Sequence, residues 1–143
     1  MKRYDIYNER KQCQASFAYI EDAQEYIKDN SPEREFWTIE EEDWLTIENL
    51  NNFFADALLY SNWIEFKPIE ESKAEWLLGG NILQVVDDME QEFEVSLQDV
   101  IDGFEIAKEN EQNAYQNVII GEYDSYDADA ILQCIVYGEV VYG

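Results

Sequence analysis

Histidine is missing from this chain altogether, which removes the commonest general base and the commonest zinc ligand. Lysine and arginine are scarce: nine of them face 33 aspartates and glutamates, for a formal net charge of −24 and a pI near 4.1. Charge of that size and sign argues against direct contact with nucleic acid or an anionic membrane surface, and makes a basic protein surface the natural partner. There are only two prolines and six glycines, no glycine-rich phosphate loop and no G-x-S-x-G elbow. The two cysteines, Cys13 and Cys134, lie far apart with no C-x-x-C spacing, so reduced, partly buried thiols are expected rather than a disulfide. No apolar run approaches the length of a membrane span. Met1-Lys2-Arg3 is followed by Tyr4-Asp5 and not by an apolar stretch, so no signal peptide is expected and the predicted location is cytoplasmic.

What the sequence does have is a core. Hydrophobic residues make up 46% and aromatics 15% of 143 residues, too apolar for the acidic disordered class and enough for one domain spanning 1–143. The charge is uneven. Residues 1–73 carry 17 acids and eight bases, whereas residues 74–143 carry 16 acids and the single base Lys108. Ordinary surfaces intersperse both signs.

The apolar spacing predicts an α+β fold: an N-terminal β-hairpin or small antiparallel sheet with helices, then a mostly helical C-terminal half. "RYDIY" and "QASFAYI" read as hairpin strands and "EDAQEYIKD" as a helix that "NSP" stops, with "EFWTI" as a third strand. Thr46 is placed to cap a helix whose apolar face is Ile47, Leu50, Phe53, Phe54, Ala57 and Leu58. "NWIEFKP" reads as extended or irregular, with Pro68 opening a short helix that ends before Gly79-Gly80. "NILQVVDDMEQEF" places Ile82, Val85, Val86, Met89 and Phe93 at helical spacing. Ser96 and Asp99 form a capping-box pattern ahead of Leu97, Val100, Ile101, Phe104 and Ala107. Asp127 is read as the cap of a last helix that Gly138 ends.

The carboxylates recur in clusters: Glu40, Glu41, Glu42 and Asp43; Asp87, Asp88, Glu90, Glu92 and Glu94; and Asp124, Asp127 and Asp129. An enzymatic reading has no support beyond the abundance of acids, which without geometry assigns no acid–base pair. A calcium loop starting at Asp124 fails, because its sixth residue is Asp129 where a glycine is needed and its twelfth is Ile135 where a glutamate is needed. No metal, cofactor or catalytic residue is therefore expected. The tryptophans Trp37, Trp44 and Trp76 stand among acids, not among the lysines and arginines of a base-stacking platform. Trp44, beside the run 40–43, is the expected aromatic anchor for a partner. Carboxylates three or four residues apart on a helix sit ~5–6 Å apart, and phosphates along one DNA strand repeat at roughly 7 Å, given an axial rise of 3.4 Å per nucleotide. The clusters thus read as an imitation of phosphates. Crowding should raise carboxylate pKa values in the folded state, so that salt and mild acidification stabilise it.

In size, charge and aromatic content the chain resembles the small acidic DNA-mimic inhibitors of phages and mobile elements, of antirestriction or anti-CRISPR type. More narrowly, the N-terminal half of the chain, through "YDIYNERKQCQASFAY", "EDAQEYI", "EFWTIEEEDW" and "IENLNNFF", is similar to the ArdA antirestriction family. The resemblance implies a non-catalytic protein that occupies the DNA-binding groove of a basic host protein in the bacterial cytoplasm. An immunity protein plugging a basic nuclease toxin needs the same electrostatics, concentrated in a compact patch. A phage accessory protein whose acidity serves solubility is a third reading. The sequence leaves the oligomeric state open, a homodimer included.

Overall fold

The computed structural model describes residues 1–142. It is an α+β fold with two three-stranded antiparallel sheets and six helices. The first sheet has the order β2-β1-β3, from β1 (Lys2–Tyr7), β2 (Cys13–Phe17) and β3 (Thr38–Asp43). The hairpin is as the alternation predicts, but the third strand shares only Thr38 and Ile39 with "EFWTI", and Phe36 lies outside it, 83% exposed. The strand runs on past "EFWTI" and takes in the whole acidic run. Helix α1 (Ile20–Asn30) separates β2 from β3. Its Tyr26 ring lies between Phe17 and Trp37, at 5.5 and 6.2 Å between centroids.

Helix α2 (Ile47–Tyr60) starts where the cap predicts, with the Asn49 amide donating to Thr46 Oγ1. Leu50, Phe53, Phe54 and Ala57 are buried. The second sheet, β4-β5-β6, consists of β4 (Ile64–Phe66), β5 (Leu83–Asp87) and β6 (Glu92–Val95), with α3 (Lys73–Leu78) between its first two strands. Ser72, not Pro68, caps α3.

The helix expected over "NILQVVDDMEQEF" is instead the β5–β6 hairpin. Two periods compete in this segment. Leu83, Val85 and Asp87 alternate inward on β5, and Phe93 and Val95 do so on β6, while Gln84, Glu92 and Glu94 are exposed. Met89, required by the helical reading to be buried, is 78% exposed. The turn decides. The Asp87 carboxylate accepts from the backbone amides of Met89 and Gln91 at 3.0 and 2.8 Å, a local alternative to helical hydrogen bonding, and the β-branched pair Val85-Val86 favours a strand.

Three helices complete the chain: α4 (Leu97–Asn110), α5 (Gln112–Ile120) and α6 (Ser125–Tyr137). The Ser96–Asp99 capping box forms in both directions, and Gly138 ends α6 at φ 77°, a left-handed conformation that glycine takes without a Cβ penalty. Helix α5 has no counterpart among the elements expected from the sequence. Its buried Ala114, Tyr115, Val118 and Ile119 form the helical face. A continuous apolar cluster runs from Ala18 to Ile135, with α6 against both α2 and α4. Trp44 belongs to this core. It is 4% exposed, its ring 4.8 Å from Phe104 and 6.3 Å from Phe53, so it is not available as a surface anchor. No helix among the described residues is long and apolar enough to cross a membrane.

Both thiols are free, but in different settings. Cys13 is exposed on an edge strand, not partly buried as expected. Cys134 is buried in α6, and burial, with a smaller effect of Glu111, pushes its pKa up to about 11. A thiol reagent should therefore titrate one cysteine per native chain and two in denaturant. Two fast-reacting thiols in the native protein would contradict the packing of α6.

Candidate protein-binding surface

The acidic run at residues 40–43 is neither a turn nor a helix start: it is the last four of the six residues of β3, an edge strand. Successive side chains on a strand point to opposite faces, so the four carboxylates divide. Glu41 and Asp43 share a face with Tyr4 and Lys2, and Glu40 and Glu42 share the other with Asp5 and Arg3. Within each pair the spacing is about 6.7 Å, two strand residues, close to the roughly 7 Å phosphate repeat of a DNA strand. All four are exposed. Charged side chains on an edge also deter pairing with another chain, and this strand has both properties at once.

The run is less naked than the sequence suggests. Lys2 Nζ lies 2.5 Å from Asp43, and Arg3 stands opposite Glu42 while bonding Asp5 at 2.8 Å. The Lys2 hydrogen bond holds the Asp43 carboxyl below its ordinary pKa. In the second sheet, Glu65 and Glu92 flank Val86 on the outer face, and Glu94 lies beside Gln84. Lys67 reaches Glu92 at 3.5 Å. Among the described residues these are the three ion pairs, and surface pairs contribute only ~0–1 kcal/mol each. The predicted helical array of acids over 82–93 does not exist. Asp87 and Glu92 stand on strands and Asp88 and Glu90 in the turn between them, while an acidic stripe that the sequence reading did not single out, Asp102, Glu105 and Glu109, occupies the exposed side of α4.

Three predicted contact residues have structural work instead. Asp87 is buried, and besides the two turn amides its carboxylate accepts from Tyr137 Oη at 2.8 Å. Burial raises its pKa, but the hydrogen bonds from Tyr137, Gln91 and Met89 outweigh it and the net shift is downward. Asp43 and Asp87 thus move against the expectation that crowding raises carboxylate pKa values. A lowered folded-state pKa gives stability that is complete above the unfolded value, about 3.9, and is lost as pH falls through the folded one. Asp129 is 4% exposed inside α6. Asp127, expected to cap that helix, accepts from Asn117 Nδ2 at 3.0 Å, and the cap is Asp124, which receives the Asp127 amide. Asp88, Glu90, Glu92, Glu94 and Asp124 remain exposed, as do Glu40 to Asp43.

The aromatic rings most open to solvent are Phe36, 83% exposed, and the pair Tyr60 and Tyr126, not the predicted Trp44. Tyr60 at the end of α2 and Tyr126 at the start of α6 pack edge to face at 5.8 Å, each about half exposed, next to Leu59, which is 81% exposed. Leu59 falls outside the apolar face of α2, which was a signal available in the sequence, whereas Tyr60, three residues after Ala57 and seven after Phe53, continues that spacing and gave none. Asp88 and Asp129 both line a cleft that Tyr60 also borders, so folding brings parts of the second and third acidic clusters together. The run 40–43 stands on the other sheet.

With carboxylates repelling one another and few cations between them, screening should stabilise the fold. Raising salt from about 10 mM to about 150 mM, which shortens the Debye length from 30 to 8 Å, should relieve ~1 kcal/mol and raise Tm by about 4 °C. A flat or falling Tm over that range would contradict the repulsion. No family model, curated protein or solved structure matches this chain.

Proposed function

We propose that this protein is a non-catalytic inhibitor that occupies the basic nucleic-acid-binding groove of a bacterial defence enzyme, of restriction or CRISPR type, in place of DNA or RNA. The observation that carries this reading is the display of carboxylates on strand edges and sheet faces, at a spacing near that of phosphates and with three ion pairs among the described residues. A groove that releases counterions on binding DNA gains in the same way from a rigid acidic surface. Long-range attraction makes such association fast and sensitive to salt.

Charge reversal tests the contact face without disturbing the fold, provided Asp43, Asp87 and Asp129 are spared. Changing Glu40, Glu41 and Glu42 together to lysine, or Glu90, Glu92 and Glu94 together, should slow association on the order of tenfold at low salt. Stopped-flow binding to a panel of restriction and CRISPR effector nucleases, with circular dichroism as the fold control, provides the measurement. A target that binds its DNA and this protein simultaneously, without mutual displacement, would sink the proposal.

One observation favours the immunity-protein reading. Tyr60 and Tyr126 form a compact aromatic pair beside Asp88, which suits a plug in a nuclease better than an extended mimic. Hydrogen-exchange protection confined to that patch in the complex would support the plug. Protection along β3 and β6 would support the mimic.

A further inference from the structure

We propose that the cleft between the end of α2, the β5–β6 turn and the C-terminal segment binds an organic cation, a guanidinium or alkylammonium group. This inference does not depend on the inhibitory reading. The cleft has a volume of about 310 Å³ and is lined by Tyr60, Asn62, Trp63, Asp88, Asp129 and Tyr142, within the size range of small-ligand sites.

Its chemistry points to a positive charge. Asp129 is more than nine-tenths buried, and each donor it receives is neutral: Ser61 Oγ, Trp63 Nε1 at 2.7 Å and Gln133 Nε2 at 2.8 Å. A carboxylate offers about four acceptor sites, so one remains. Asp88 lends a second carboxylate from the rim, with Oδ1 taken by Tyr142 Oη at 2.8 Å. No lysine or arginine lines the cleft, and the one base of the C-terminal half, Lys108, sits over the rings of Tyr19 and Tyr115. Buried charge is tolerated when it is paired, and here the chain supplies no cation to pair it. The remaining lining is aromatic, with Trp63 and Tyr142 at 5.7 Å between ring centroids and 31° between planes. Carboxylates together with aromatic faces suit an organic cation better than calcium or magnesium, which take six or more oxygen ligands.

The same group could come from a free amine or from an arginine or lysine side chain of a protein, and the probes separate the two. Trp63 donates its indole proton to Asp129, so its ¹H–¹⁵N indole resonance reports on the site. We expect titration at constant ionic strength with 1,4-diaminobutane, or with a capped Gly-Arg-Gly peptide, to give a saturable shift at Trp63, while Trp37 and Trp76 stay still. Saturation by the diamine identifies a small-molecule source, and saturation by the peptide alone identifies a protein side chain. Asp88→Asn keeps an acceptor for Tyr142 but removes the charge, and Tyr60→Ala removes one exposed wall. Each should weaken binding at least tenfold while the other indole signals remain in place. Shifts that grow linearly without saturating, appear equally at Trp37, or survive both substitutions would overturn the proposal and indicate counterion condensation on an acidic surface.

Discussion

Gly103→Ala is expected to destabilise the protein by ~2 kcal/mol even though alanine is the better helix former. Gly103 lies inside α4, where it faces α6 at close range. A Cβ there would fall 2.4 Å from Ile135 Cγ1, 2.6 Å from Ile135 Cα and 2.8 Å from Ile135 N. Rotating the Ile135 side chain would remove only the first of these clashes. The other two are with backbone, so α4 and α6 must move apart. Overpacking of this kind costs ~1–3 kcal/mol or more, against roughly 1 kcal/mol gained in helix propensity. Chemical denaturation should show the loss as a lower midpoint. The double variant Gly103→Ala with Ile135→Ala should not recover it. Recovery would mean that the side chain and not the backbone sets the helix spacing. Gly103→Val should be worse than alanine at the same position.

Asp129→Ala should cost ~3–5 kcal/mol, because it leaves three buried neutral donors without their acceptor at ~1–3 kcal/mol each, less what relaxation recovers. Its carboxylate ties together three parts of the chain: Ser61 at the end of α2, Trp63 before β4, and Gln133 one turn along α6. Gln133 in turn uses its Oε1 to accept from the amides of Val141 and Tyr142 at 2.8 and 2.7 Å. That fixes the orientation of the Gln133 amide, and the consequence is specific. In Asp129→Asn the new side chain still accepts from Trp63 and Ser61, but its NH₂ meets the NH₂ of Gln133, which cannot flip without abandoning Val141 and Tyr142. The isosteric change should therefore cost ~2 kcal/mol and speed hydrogen exchange at the Val141 amide. If asparagine is neutral and the Val141 amide stays protected, the network is not the clasp that holds the C-terminal segment.

The elements that were legible share one property: their signal is local and has no competitor. The Thr46 and Ser96 caps, the Gly138 stop and the 3.6-residue stripe from Leu50 to Ala57 require nothing beyond neighbouring residues. The hairpin over 83–95 had a competitor, since Val85 and Phe93 fit a helical and an alternating pattern equally well. The choice fell to the Asp87 turn and to pairing with β4, a strand some 20 residues earlier. Site residues failed for a related reason. A carboxylate's letter carries its charge but not its surroundings, so Asp87 and Asp129 read like Glu90 until the fold surrounded them with donors.

By itself, the sequence determined the α+β class, the excess of negative charge with its bias to the second half, and the absence of histidine chemistry, because these follow from composition and short-range periodicity. The tertiary structure decided which acids face solvent, that the run at 40–43 is an edge strand paired with Lys2 on β1, that Trp44 is core, and that Tyr60, Asp88 and Asp129 border one cleft. Each of these depends on contacts between residues tens of positions apart, and burial and pairing at that range are properties of packing that no local window contains.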